Sequence, residues 1–274
     1  MRILLLAGLS ALAAGCPSNL EEQSHVSKLR VLAVRADPPE LVISPDAGVP
    51  ATTLTALAVE PSDASVSVAF ALCTEITSAP TPTLPCPGNA GIELPPAGPD
   101  SARLDLSDPR IVDFALQSQL DGGAFDAGSG LQEALDQGVS LLVGFTARAG
   151  ANSLDGFATI TLRSGARGPA DVNPPAFALE IGDGGGVVAP KAVVHLQPVV
   201  PDDPAKTYGF SFFSTAGSIS SLRSTNRTAT GQLAPTWVEW TAPAAAQADP
   251  VRFWVVLRDG RGGVSWTDSS VEVR

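Results

Sequence analysis

The chain has 274 residues and a formal net charge of -11, its 28 Asp and Glu outweighing 17 Lys and Arg, a balance that argues against a nucleic-acid-binding surface. Apolar residues at 44% exclude a disordered chain, and 26 Gly with 24 Pro exclude a helical bundle or coiled coil. Two His and three Cys leave little material for a metal centre, so neither metal nor cofactor is expected.

In chain order, Met1-Arg2 supplies a positive start and Ile3 to Ala14 an apolar run, followed by small residues before Cys16. That is the layout of a secretory signal over residues 1–15, and the run is too short for the ~20 residues that span a bilayer. Leu12-Ala13-Ala14-Gly15-Cys16 resembles the lipobox of bacterial lipoproteins, with Ala13 where Leu is usual. The resemblance implies cleavage before Cys16 and acylation of that cysteine, hence a membrane partner through a lipid anchor. The alternative is a plain cleaved signal. Pro17 and Ser18 carry no retention signal, so the expected location is the outer membrane, facing the periplasm or the cell surface. Residues 16–28 are polar and without periodicity, which predicts a flexible tether in which His25 is solvated.

Two all-β modules are expected beyond it, over 29–170 and 176–274, joined by an exposed proline linker at 171–175. In the first, strands are predicted over 29–36, 52–59, 65–73, 139–148 and 157–163. Val66, Val68, Phe70 and Leu72 face inward in one of these, and Val139, Leu141, Val143 and Phe145 in another. A helical insertion intervenes. Asp108-Pro109 starts one helix, and Leu131 to Gln137 forms a second that stops at Gly138. In the second module, strands are predicted around Val194-Leu196, Tyr208-Phe212 and Trp237-Thr241, ahead of a terminal hairpin over 251–273 turning at 260–263.

Val251 to Gly263 resembles the closing hairpin of bacterial immunoglobulin-like modules of the polycystic-kidney-disease and cadherin-like kind, and Thr236 to Pro243 is similar to one of their inner strands. The whole chain resembles bacterial envelope lipoproteins with tandem immunoglobulin-like β-sandwich domains. Such a resemblance implies a fold and leaves function to the sites.

Cys73 and Cys86 form the one pair left beside Cys16, and an oxidising compartment favours a disulfide between them. Carboxylates at Asp121 and Asp126, and the Asp171-Val172-Asn173 run, invite a calcium reading, but neither has an EF-hand spacing, and solvated turns account for them better. Trp254 and Trp237 alternate with inward residues. With Arg252 and Arg258 they make a candidate binding face for glycan or protein, unless Trp254 lies under a loop or at the module junction, which is the favoured account. His195 is read as structural, and Asn226-Arg227-Thr228 as a loop rather than a glycosylation site. No nucleophile-elbow, metalloprotease, nucleotide-binding or CxxC motif occurs.

The expected function is therefore that of a non-enzymatic structural or protein-interaction module of the envelope. The alternative is a carbohydrate-binding or adhesion module, and the outside reading a hydrolase with an unsignalled carboxylate pair. Acidity is concentrated in residues 28–170, at -8, against -2 for 171–274.

Overall fold

A computed structural model describes residues 23–44, 49–62, 64–73, 86, 91–111, 130–201 and 206–274. The leader, Cys16, the helix expected from Asp108-Pro109 beyond Ile111, and the acidic residues Asp121 and Asp126 lie outside the described residues.

The first module contains β1 (Arg30–Asp37), β2 (Glu40–Ile43), β3 (Ala51–Val59), β4 (Val66–Cys73), β5 (Gly91–Glu93), β6 (Pro96–Gly98), β7 (Ser101–Asp105), α1 (Gly130–Gln137), β8 (Val139–Ala149) and β9 (Asn152–Ser164). They form two sheets, ordered β1-β3-β7-β6 and β2-β9-β8-β4-β5. The second module contains β10 (Ala178–Ile181), β11 (Val187–Val188), β12 (Val193–Val199), β13 (Gly209–Ser214), β14 (Ser218–Ile219), β15 (Arg223–Thr225), β16 (Val238–Thr241), β17 (Val251–Arg258) and β18 (Val264–Val273). Its sheets run β10-β12-β16-β14 and β11-β18-β17-β13-β15.

The two modules share a plan. In each, the leading strand segment pairs antiparallel with the next long strand, and a second segment crosses to the other sheet to pair in parallel with the last strand: β2 with β9, β11 with β18. The crossover passes through the cis Asp37–Pro38 bond in the first module, and through Gly182, Gly184 and Gly186, all at positive φ, in the second.

Alternation builds both cores. On β4, Val68, Phe70 and Leu72 are buried while Ser67 and Ala69 face solvent, and Phe70 meets Phe145 of β8 edge to face at 6.4 Å. In the second module Trp240 of β16 meets Phe253 of β17 edge to face at 4.9 Å, bridging the two sheets. Each buried side chain of this size contributes roughly 1.5–3 kcal/mol.

The expected strands are present, with extensions. β9 begins at Asn152 rather than 157, because Gly150 takes a positive φ of 57° and the turn is tight enough for Asn152 to pair with Ala149. The helix predicted over 131–137 is α1, and Gly138 after it has φ 94°, a conformation that favours glycine.

The connecting segments are more closely held than expected. The flexible tether was expected to reach residue 28, yet Val26 is fully buried, and Ser24 and Val26 exchange backbone hydrogen bonds with Ser214 at the end of β13. His25 sits within that bridge, its carbonyl accepting from Arg30 Nη1 at 2.8 Å. The 171–175 segment leaves Val172 and Pro175 exposed, as a linker would, but is pinned between them. The Asn173 carboxamide donates to Ala36 O at 2.8 Å and accepts from Val264 N at 2.9 Å, so one side chain ties β1 to β18, and Pro174 is buried behind it. Asn173 is thereby occupied by backbone rather than presented to a cation.

Candidate functional site

The outer surfaces of the modules meet in an apolar junction. Leu32, Ala33 and Val59 of the first module pack with Val26, Phe213, Trp254, Val256 and Val264, and Trp266 closes the margin. A β-bulge makes this possible. Val31 pairs with Ala58 and Ala33 with Leu57, so Leu32 is the extra residue on β1. A regular strand would send Leu32 and Ala33 to opposite faces; the bulge lets both reach the junction, while Val31 and Val34 serve the first module's own core. Arg35 lies over the Trp266 ring at 5.1 Å and Arg30 over Phe213 at 5.9 Å, so cations close the rim.

This arrangement overturns the candidate binding face as one surface. Trp254 is 7% exposed and lies at the junction, as its favoured account had it. Arg258 donates to Leu32 O across the junction at 3.1 Å and to Ser211 Oγ at 3.4 Å. Arg252 lies at the other end of β17, its N–H donating to Thr215 Oγ1. Trp237 is elsewhere: it precedes β16, in the sheet opposite β17, and stays 38% exposed. The four residues do not converge.

Sequence reasoning did not foresee the partner of Trp237. His195 on β12 stacks on its indole with centroids 4.0 Å apart and planes 22° from parallel. Register places Glu239 directly opposite His195 and Glu180 opposite Gln197, so the outer face of this sheet combines a flat aromatic pair with carboxylates and an amide. The outward alternation of Val193, His195 and Gln197 was the available signal; the cross-strand register was not.

A second unforeseen feature is an ion pair at the base of the first module. Arg163 of β9 donates from Nε to Glu40 Oε2 at 2.9 Å and from Nη2 to Oε1 at 2.5 Å, with both side chains 9% exposed. Asp171 N also donates to Glu40 Oε1, and Arg163 reaches the carbonyls of Ser164, Gly168 and Pro169. The Arg163 hydrogen bonds hold the Glu40 carboxyl below its ordinary pKa, against the opposing effect of burial. This pair fixes the chain leaving β9, and so the start of the connection to the second module.

Cys73 and Cys86 are bonded, with Cα atoms 5.2 Å apart, and pack with Leu142 on the flank of the first module. A Cβ at Gly91 would strike the Cys86 sulfur, so the bridge leaves room only for glycine there. Among the described residues no group of three or more His, Cys, Asp or Glu is placed to hold a metal ion, and no helix is long and apolar enough to cross a membrane.

Strand order defines the class: two tandem immunoglobulin-like β-sandwiches, each with a four-strand sheet facing a five-strand sheet whose middle strands are the closing hairpin. The chain is similar to solved tandem modules. These include a chimeric titin Z1Z2-Z1Z2 tandem (11% identity, 82% of this chain and 92% of that one, TM-score 0.25) and the N-terminal Ig1-2 module of the Drosophila receptor protein tyrosine phosphatase DLAR (10% identity, 90% and 99%, TM-score 0.25). The chain is also similar to murine CEACAM1b (11% identity, 90% and 100%, TM-score 0.25). No family model matches the chain, and no curated protein does.

Proposed function

We propose that the chain is a lipid-anchored protein of the bacterial cell envelope, held at the outer membrane, whose two sandwiches act as one non-enzymatic protein-interaction unit. The observation that carries this reading is the seating of residues 24–26 on β13 beside the module junction. The segment following Cys16 thus ends on the folded body after seven residues (17 to 23), a span of at most ~25 Å when extended. An anchor at Cys16 would hold the junction close to the membrane and leave the far ends of both sandwiches for partners. Intact mass of the protein from membranes tests the anchor: a diacylglycerol-modified, N-acylated Cys16 is expected. An unmodified thiol there, or unchanged membrane retention in Cys16→Ser, overturns it. Crosslinking in whole cells tests the interaction role.

The stacked His195 and Trp237 favour glycan as the alternative ligand, because an exposed aromatic plane beside carboxylates and an amide suits the apolar face and hydroxyls of a sugar. Retention on peptidoglycan or polysaccharide that vanishes in Trp237→Ala supports it; equal retention by the variant removes it.

A further inference from the structure

The junction margin holds a groove of about 710 Å³ whose lining includes Arg30, Arg223 and Arg258, the hydroxyl-bearing Ser211 and Ser224, and Gln23. Among the described residues no Asp or Glu lines it, in a chain where acids outnumber bases. We propose that this groove binds a phosphate group, gripped by Arg223 and Arg258 with Arg30 at the side.

The charges argue for it. Arg258 is drawn into the junction by its bonds to Leu32 O and Ser211 Oγ, both uncharged acceptors. Burial, with a further push from the like charge of Arg223, holds its guanidinium below the ordinary value. Among the described residues no carboxylate forms an ion pair with Arg30, Arg223 or Arg258. Arg258 and Arg223, the latter on β15, are both exposed and both line the groove. Two guanidinium groups that repel one another across an open groove are stabilised by a shared oxyanion, which each can meet with paired N–H donors. Arg30 is fixed at the entrance by its bonds to Gln23 O and His25 O. The site joins elements of both modules and the N-terminal segment, so it exists only while the junction is closed.

Two sources can supply the phosphate, a lipid headgroup or free phosphate. The position of Gln23 in the lining would bring headgroups within reach if Cys16 is acylated, but binding of the phosphate itself does not depend on that anchor.

The test uses the full chain carrying Cys16→Ser, titrated calorimetrically with inorganic phosphate and sedimented with phosphatidylcholine vesicles with or without phosphatidic acid. Phosphate binding is expected, weakened about tenfold by Arg223→Ala and more by Arg223→Glu, at unchanged melting temperature without phosphate. Arg258→Lys keeps a donor for Leu32 O and is expected to weaken binding while preserving the fold. Sedimentation with the phosphatidic acid vesicles that is lost in Arg223→Glu identifies the headgroup as source. Phosphate binding without sedimentation identifies free phosphate. Absence of phosphate binding, or equal affinity in Arg223→Glu, overturns the proposal. So does binding that appears only when Glu21→Gln and Glu22→Gln are introduced, because the chain's own carboxylates would then fill the groove. Failure of Cys16 acylation would leave the phosphate titration untouched, so the two readings fail separately.

Discussion

Replacing Glu40 by Gln tests whether the buried pair holds the exit of the first module. The carboxylate accepts three hydrogen bonds, two from Arg163 and one from Asp171 N. A carboxamide keeps one acceptor oxygen and turns an NH2 toward a donor, leaving Arg163 charged and 9% exposed. Breaking one side of such a pair costs about 3–5 kcal/mol, and the three carbonyls that still solvate Arg163 place the loss near the lower end, ~3 kcal/mol. That corresponds to a fall in melting temperature of roughly 6–12 °C. Urea denaturation at neutral pH measures it, and Glu40→Met with Arg163→Met is the control, because an apolar pair of similar volume is expected to restore most of the loss. The effect must also titrate. Glu40's pKa is lowered in the folded state, so its contribution is complete above the unfolded value of about 4.3 and is lost as pH falls through the folded one. The gap between wild type and Glu40→Gln should therefore shrink in acid. A loss below ~0.5 kcal/mol at neutral pH, the range of exposed pairs, would refute the reasoning.

Three other outcomes follow from packing. Trp254→Ala should destabilise by about 3–5 kcal/mol and split unfolding into two transitions, because Trp254 fills the junction rather than either core; a single transition with unchanged midpoint would contradict this. Gly217→Ala, at φ 78° with the Trp240 indole and Thr241 O against the missing Cβ, should cost more than the ~1–2 kcal/mol of left-handed strain alone, as read by thermal melting. Reducing the Cys73–Cys86 bridge, which closes a loop with a sequence separation of 13, should lower stability by about 3 kcal/mol, read by urea denaturation of the oxidised and reduced protein.

The long strands were legible because their environment is one-sided. Val66 to Leu72 alternates in sequence and in burial, and the same holds for Val238 and Trp240 against Glu239. Shorter strands were not. β7 buries Ala102 and Leu104, but five residues between Asp100 and Leu106 give too little periodicity to stand apart from turns. β2 and β11 are defined by parallel pairing with the last strand of each module, a long-range relation that no local pattern carries. The buried Glu40–Arg163 pair escaped for the same reason, its members being 123 positions apart.

The candidate site shows where alternation itself misleads. On β17, Phe253, Val255 and Leu257 face the second module's core, as their spacing predicts, so Trp254 and Val256 point away from it. Away from the core is not outward to water, because the bulge on β1 brings Leu32 and Ala33 against that face. The sequence carried a sign of this: Val251 to Leu257 is apolar at every position but Arg252, and a strand without polar alternation is covered on both sides. Under that rule the tryptophan of an uninterrupted run belongs to packing, and the one preceded by Thr236 and followed by Val238-Glu239 keeps an accessible edge. The same rule gives Arg258 its meaning. It is the first charge after the doubly covered run, so its stem lies along the junction and its guanidinium emerges at the margin, beside Arg223 and across from Leu32 O. The surfaces open to a ligand therefore begin where double coverage ends, at the Arg258 groove and, on the opposite sheet, at Trp237.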